Sequence, residues 1–173
     1  WRRVVEDPEI ELVDICSPNN THHDIALAAL EAGKMVACEK PLAMDAREAA
    51  RMAAAARRRN ATTLVWFNYR RVPAISFARQ LIEQGRIGRV FHFRALYLQA
   101  WTLSPEVPLV WRLDRAVAGS GVTGDLLSHL VDISNFLVGE IDSVSAASTI
   151  FVHERPLPEG GRGKVEIEDA AVF

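Results

Sequence analysis

A lysine closing a short apolar run, and a carboxylate–imidazole pair one helical turn apart, are the residues of this chain best suited to do chemistry. The lysine is Lys40 in Glu39-Lys40-Pro41, which directly follows Met35-Val36-Ala37-Cys38. That run reads as a buried strand, and ligands of open α/β sheets bind beyond the ends of parallel strands. Desolvation or a neighbouring cation lowers an ammonium pKa and lets a lysine there polarise or protonate a reacting oxygen. The plain alternative is a solvated lysine in a loop. The pair is Asp125 and His129, spaced i, i+4 on one side of a predicted helix that Asp132 continues. A carboxylate at that distance can fix an imidazole tautomer and raise its basicity, as a general base near neutral pH requires. A surface Asp–His pair, or an acid complementing the helix dipole, explains the same letters. Asp and His can also ligate a cation, but no third ligand stands at motif spacing, so no metal site is expected.

The elements that would carry these residues follow from the patterning. Glu11 to Cys16 reads as a strand, Ser17-Pro18-Asn19-Asn20-Thr21 as a polar loop, and Thr21 as the cap of a helix from His22 to about Ala32. Gly33 falls where a helix-ending glycine belongs, and the strand to Cys38 follows. Asp45 caps a helix to about Arg59, and Asn60 to Phe67 is a third strand. Strand, helix, strand, helix, strand with short connections predicts a parallel α/β layer, the second half of a Rossmann-type sheet. Pro73 then opens a helix to about Gln84, and a long strand is expected from Val90 to about Gln99. A Pro- and Trp-rich loop leads to a helix from Asp125 to Val138, and two strand-like segments, Val144 to Val152 and Val165 to Phe173, close the chain. This half predicts an α+β domain with a mostly antiparallel open sheet. The expected domains are 1–67 and 68–173.

Two loops invite a ligand reading. Gly119-Ser-Gly121-Val-Thr-Gly124 has the spelling of a dinucleotide-binding fingerprint, but that fingerprint needs a buried strand just before it. The preceding Trp111 to Ala118 is too charged for such a strand, so the glycines read as a flexible lead-in to the Asp125 helix. Ser17 to His22 sits at a strand end and opens a helix, where polar side chains and free N–H groups suit ribose and amide groups. An ordinary strand-to-helix loop explains it equally well. His23, His92 and His153 read as surface or packing residues.

Composition frames these readings. Of 173 residues 49% are hydrophobic and 24% charged, with a net charge of −2, a globular profile that gives no reason to expect nucleic acid or an anionic membrane as partner. No apolar stretch reaches the roughly 18 residues of a membrane helix, and Trp1 to Glu6 lacks the apolar core of a signal peptide. Cys16 and Cys38, each ending an apolar run, are expected to be buried thiols in a reducing cytoplasm. Trp1 to Pro8 reads as the tail of a helix, and Val165 to Phe173 as a strand without a following turn, so both ends are expected to be cut inside a larger fold.

Taken in order, these segments resemble the glucose–fructose oxidoreductase and inositol dehydrogenase (Gfo/Idh/MocA) family. The likeness lies in Asp14-Ile-Cys-Ser-Pro-Asn-Asn-Thr-His22, Leu30-Glu-Ala-Gly-Lys34, Cys38-Glu-Lys-Pro-Leu-Ala43 and Phe67-Asn-Tyr-Arg-Arg-Val-Pro73. It continues through Trp111-Arg112 and Gly119-Ser-Gly to Gly124-Asp125-Leu-Leu-Ser-His129-Leu-Val-Asp132. The resemblance implies an NAD- or NADP-dependent oxidoreductase acting on a sugar, anhydrosugar or inositol-like polyol. Lys40 matches the lysine of the family's Glu-Lys-Pro motif, and Asp125 and His129 match its substrate-binding aspartate and catalytic histidine. Asp125 would orient His129 or hold a neighbouring hydroxyl. Ser17, Pro18, Asn19, Asn20, His22 and Glu39 match cofactor-side positions, and Trp111 and Arg112 the pair that closes over the cofactor in sugar-acting members. Tyr97-Leu-Gln-Ala-Trp101 points the same way. The family's glycine fingerprint, and the residue selecting NAD from NADP, would lie upstream of Trp1, which predicts that this chain alone does not hold a dinucleotide tightly. Two other readings stay open: a glycosidase that keeps its nicotinamide bound, and a non-catalytic cofactor-sensing or partner-binding module. By the same resemblance the full-length protein is expected to form a dimer or tetramer.

Overall fold

The computed structural model describes residues 1–173. After a short helix α1 (Arg2–Glu6), the first half builds β1 (Leu12–Ile15), α2 (His22–Glu31), β2 (Met35–Cys38), α3 (Ala46–Arg59) and β3 (Thr63–Val65). The strands form one parallel sheet in the order β1-β2-β3, with Ile15 opposite Cys38 and Cys38 opposite Val65. The core is the contact of α2 and α3 with this sheet: Ile15, Ala26, Ala29, Leu30, Cys38, Met52 and Ala55 are buried together. Lys34 is also buried, its ammonium donating to the carbonyls of Asp7 (2.7 Å) and Ile10 (2.6 Å), so that a cation ties α1 to the sheet without a stranded charge.

Helix boundaries follow local chemistry. Asp45 Oδ1 accepts the Glu48 N–H at 2.8 Å, the cap expected from the sequence, and Glu48 reciprocates by accepting the Met44 N–H at 3.1 Å. Gly33, at φ +77°, ends α2 as anticipated. Thr21 departs from expectation. Its hydroxyl donates to the Pro18 carbonyl at 2.7 Å instead of capping α2, because Asn19–Thr21 forms a 3-10 turn that makes the entry itself. Cys16 is exposed rather than buried, since it lies one residue beyond β1, on the open edge of the sheet; Cys38 is buried as expected.

The second half contains α4 (Pro73–Glu83), a short α5 (Arg115–Ala118), a π-helical turn (Thr123–Leu127) and α6 (Ser128–Val138). Four short strands follow: β4 (Ala147–Thr149), β5 (Glu154–Pro156), β6 (Arg162–Lys164) and β7 (Ala170–Val172). β4 pairs antiparallel with β7, and β5 with β6 across a turn at Gly160-Gly161. The segment expected to be a mere loop between two strands is therefore itself a hairpin. The predicted strand at 90–99 joins no ladder, because no neighbouring strand of this chain pairs with it, and Phe91 and Leu98 stand exposed.

Two cations organise the packing around the cleft between the halves. Arg70, just after β3, holds Asp132 of α6 through two bonds of 2.7 and 2.5 Å. Arg155 of β5 is buried, and its guanidinium donates to the carbonyls of Ser104 (2.9 Å), Val107 (3.4 Å) and Thr102 (2.6 Å). No carboxylate faces it at bonding distance; three backbone carbonyls of one loop do. Replacing Arg155 by methionine strands those carbonyls, and the expected outcome is a loss on the order of 2–3 kcal/mol in denaturant unfolding.

Candidate active site

The cleft lies at the carboxyl ends of β1 and β2, where open parallel sheets place ligands. Lys40 reaches across it to the second half. Its ammonium donates to Asp125 Oδ1 at 2.6 Å and to the Asp125 carbonyl at 3.0 Å. The Lys40–Pro41 peptide is cis. Asp125 presents one carboxylate oxygen and its backbone carbonyl to Lys40 from within the π-helical turn Thr123–Leu127. The expected carboxylate–imidazole bond is absent: His129 Nδ1 is buried without any partner. Asp125 has become the counter-ion of Lys40, a stronger claim on its charge than a neutral ring could make.

Aromatic rings orient His129 instead. Tyr69 lies 4.5 Å from the imidazole centroid, Phe67 5.8 Å away edge-on and Tyr97 at 6.0 Å. Burial and the charge of Lys40 lower the His129 pKa below its ordinary value, while Asp125, Asp132 and Glu39 pull the other way without prevailing. The ring is thereby held neutral near physiological pH and able to take a proton. Tyr69 and Tyr97 join their hydroxyls at 2.6 Å, and Gln99 donates to Tyr97 at 2.9 Å. The hydrogen bond to Tyr97, with some burial, raises the Tyr69 phenol further, so it stays a donor.

Two chambers meet at Lys40, Glu39, Asp125 and Arg112. One, of about 420 Å³, is walled by Trp66, Asn68, Tyr69, Tyr97, Gln99, Trp101 and His129. The other, of about 120 Å³, is walled by Cys16, Ser17, Asn19, Pro41, Trp111, Ala118 and Ser120. Arg112 stacks 4.3 Å from the Trp111 ring centroid at their junction.

The sequence-predicted positions divide. Lys40, Asp125, His129, Glu39, Ser17, Asn19, Trp111 and Arg112 line the cleft. Asn20 sits on the surface near the Ala116 carbonyl, and Pro18 accepts bonds that shape the loop. His22 is wholly buried, its Nδ1 3.0 Å from the Pro41 carbonyl and its Nε2 2.9 Å from the Ser17 carbonyl. It stitches the two loops together from beneath and does not face the cleft. Sequence reasoning did not assign Tyr69, Asn68, Trp66 or Gln99 to the site. The signal was there: Asn68-Tyr69 follows β3, whose end opens on the same edge as Lys40. The Cys38 thiol, pushed up to about 12 by burial with Glu39, Cys16 and Asp14 adding to it, is no nucleophile. No three His, Cys, Asp or Glu side chains gather as a metal site would require, and no helix is long and apolar enough to cross a membrane.

A lysine–aspartate pair and a buried histidine thus meet at the strand ends of a Rossmann-type sheet. Residues 1–67 match the oxidoreductase family with an NAD-binding Rossmann fold, and residues 75–173 match the GFO/IDH/MocA C-terminal domain. The chain belongs to this GFO/IDH/MocA oxidoreductase family. Among its relatives, levoglucosan dehydrogenase of Pseudarthrobacter phenanthrenivorans is 47% identical over 161 residues, covering 93% of this chain and 41% of the relative. 1,5-anhydro-D-fructose reductase of Ensifer adhaerens is 34% identical, covering 98% of this chain and 47% of that protein. A solved levoglucosan dehydrogenase in complex with NADH and levoglucosan superposes with TM-score 0.95 at 44% identity, covering 99% of this chain and 45% of that one. An oxidoreductase domain protein from Kribbella flavida gives 0.96 at 49% identity, covering 99% of this chain and 48% of that one. The chain thus spans less than half the length of these relatives.

Proposed function

We propose that the full-length protein transfers hydride between a nicotinamide dinucleotide and a hydroxyl or carbonyl carbon of a sugar, anhydrosugar or inositol-like polyol. The observation that carries this reading is Lys40 locked to Asp125 at 2.6 Å beside a buried, partnerless His129. The smaller chamber, of about 120 Å³, has room for the nicotinamide end of the dinucleotide alone, and its polar lining by Ser17, Asn19 and Arg112 suits an amide and a ribose hydroxyl better than an apolar ligand. When bound, the nicotinamide supplies the hydride acceptor or donor. The remaining chemistry falls to the chain. Lys40 offers a preorganised positive charge to the reacting oxygen, where negative charge develops during oxidation. His129 takes the hydroxyl proton at Nε2, since Nδ1 is enclosed. Asp125 keeps the ammonium aimed and leaves the imidazole to its aromatic walls.

The larger chamber supports the polyol class. Aromatic faces of Trp66, Tyr69 and Trp101 suit the C–H faces of a sugar ring, while Asn68, Tyr97 and Gln99 offer bonds to its hydroxyls. The levoglucosan and anhydrofructose activities named for the relatives support it too. We place the domain boundary between 67 and 68, where the chain leaves the edge of β3. The exposed Phe91, Leu98 and Phe151 support self-association of the full-length protein, which light scattering would read. The reading is tested by following reduced nicotinamide absorbance with NAD and NADP against anhydrosugars, aldoses and inositols. Turnover with at least one of them is expected; silence across the panel would sink it.

A further inference from the structure

The glycine loop that spells a phosphate cradle is filled from inside the chain. The N–H groups of Gly121 and Thr123 both donate to one carboxylate oxygen of Glu168, each at 3.0 Å. The Val122 N–H donates to the Glu168 carbonyl, also at 3.0 Å. The approach is so close that a Cβ on Gly121 would fall 1.8 Å from that carbonyl oxygen, which is why a glycine stands there. Burial alone would raise the Glu168 carboxyl, but the bonds from Thr123 and Gly121 outweigh it and hold the group below its usual range, so it remains an anion.

The latch connects directly to the site. The Asp125 N–H donates to the Gly121 carbonyl at 3.0 Å, which starts the π-helical turn Thr123–Leu127. That turn aims the Asp125 carbonyl and Oδ1 at the Lys40 ammonium. The segment has little stiffness of its own, with glycines at 119, 121 and 124 and Gly119 at φ +82°. Charge-assisted bonds from the amides of Gly121 and Thr123, two residues apart, supply what the sequence of the loop lacks.

We infer that Glu168 is a positioning residue for the Lys40–Asp125 pair: its carboxylate occupies the amide cradle of the glycine loop and fixes the turn that aims Asp125. The inference rests on the dehydrogenase reading above. It acts on placement, so Glu168→Ala in the full-length protein should lower kcat about 10- to 100-fold and dinucleotide affinity less than kcat, because, of the latched loop, only Ser120 and Asp125 reach the cofactor chamber. Added formate or acetate, small enough to enter the emptied cradle, should restore part of the lost kcat. Wild-type kcat in Glu168→Ala, or a loss shared with cofactor affinity that no carboxylate rescues, would overturn it. Should the alanine variant not fold, the paired variants decide. Glu168→Gln keeps an acceptor oxygen in place, and Glu168→Asp keeps the charge but shortens the reach. A kcat below wild type in Glu168→Asp, with a smaller loss of dinucleotide affinity, supports positioning, and wild-type kcat in both variants contradicts it. Amide hydrogen exchange separates this claim from the functional reading. If the unaltered protein turns over no polyol, the reading of function fails, yet faster exchange confined to 121–125 in Glu168→Ala or Glu168→Asp still establishes the latch. Unchanged exchange there removes it.

Discussion

Lys40→Met in the full-length protein is expected to lower kcat by about 10²- to 10³-fold, the range for losing a preorganised charge at a developing oxyanion. Substrate binding should weaken far less, because the aromatic walls of the larger chamber are untouched. The substitution also strips Asp125 of its counter-ion and removes the nearest positive charge from His129. Lys40 is one of the two causes depressing the His129 pKa, after burial itself. The acid limb of the kcat/KM profile should therefore move upward, toward the ordinary imidazole value, in the residual activity of Lys40→Met. Lys40→Arg is not expected to rescue. A planar guanidinium fork does not place a point charge where the ammonium now makes two bonds to Asp125. Steady-state kinetics across pH on the parent and both variants checks all three expectations.

His129→Asn should cost about 10²- to 10⁴-fold in kcat by removing the proton acceptor. The acid limb should vanish with it, leaving a nearly flat profile through the range below about 6.5, the ordinary histidine value. Stability should respond with a definite sign. The folded-state pKa of His129 is lowered relative to the unfolded chain, so the unfolded state binds the proton more readily there. The contribution of the neutral ring is fully present above the ordinary value and is lost as pH falls through the lowered one. Denaturant unfolding of the parent should weaken on acidification through that window, and His129→Asn should weaken less. A variant that keeps the parent's acid limb would show that another group takes the proton.

The parallel layer was legible because its signals are local. Asp45 caps its helix from its own side chain, Gly33 ends a helix by its own backbone freedom, and three apolar runs of the right length alternate with helices. Lys40 at the end of β2 came from the same reasoning. What stayed hidden depends on partners distant in sequence. Asp125 and His129 are a plausible pair by spacing, but Lys40, 85 residues upstream of Asp125, takes the carboxylate first. A π-helical turn breaks the spacing rule, and nothing in Thr123–Leu127 spells it out. The glycine loop was rightly set apart from a phosphate cradle, yet the carboxylate that fills it lies 47 residues from Gly121. His22 had a polar side chain at a strand-to-helix junction and was assigned to the cofactor. Burial against two carbonyls, a tertiary fact, gives it the work of joining two loops. Residues 90–99 alternate as a strand does, but a ladder needs a neighbour as well as a pattern.

The central claim is that Lys40 and His129 serve a hydride transfer to or from a polyol carbon. Mass spectrometry of the dinucleotide tests it most directly. The full-length protein is incubated with oxidised dinucleotide and an anhydrosugar or inositol carrying deuterium at each carbinol carbon. One deuterium per turnover on the reduced dinucleotide, formed by the parent and reduced at least about 10²-fold in rate by Lys40→Met, is the result expected. A sugar product released with no label on the dinucleotide, or labelling at the same rate in Lys40→Met, would contradict it.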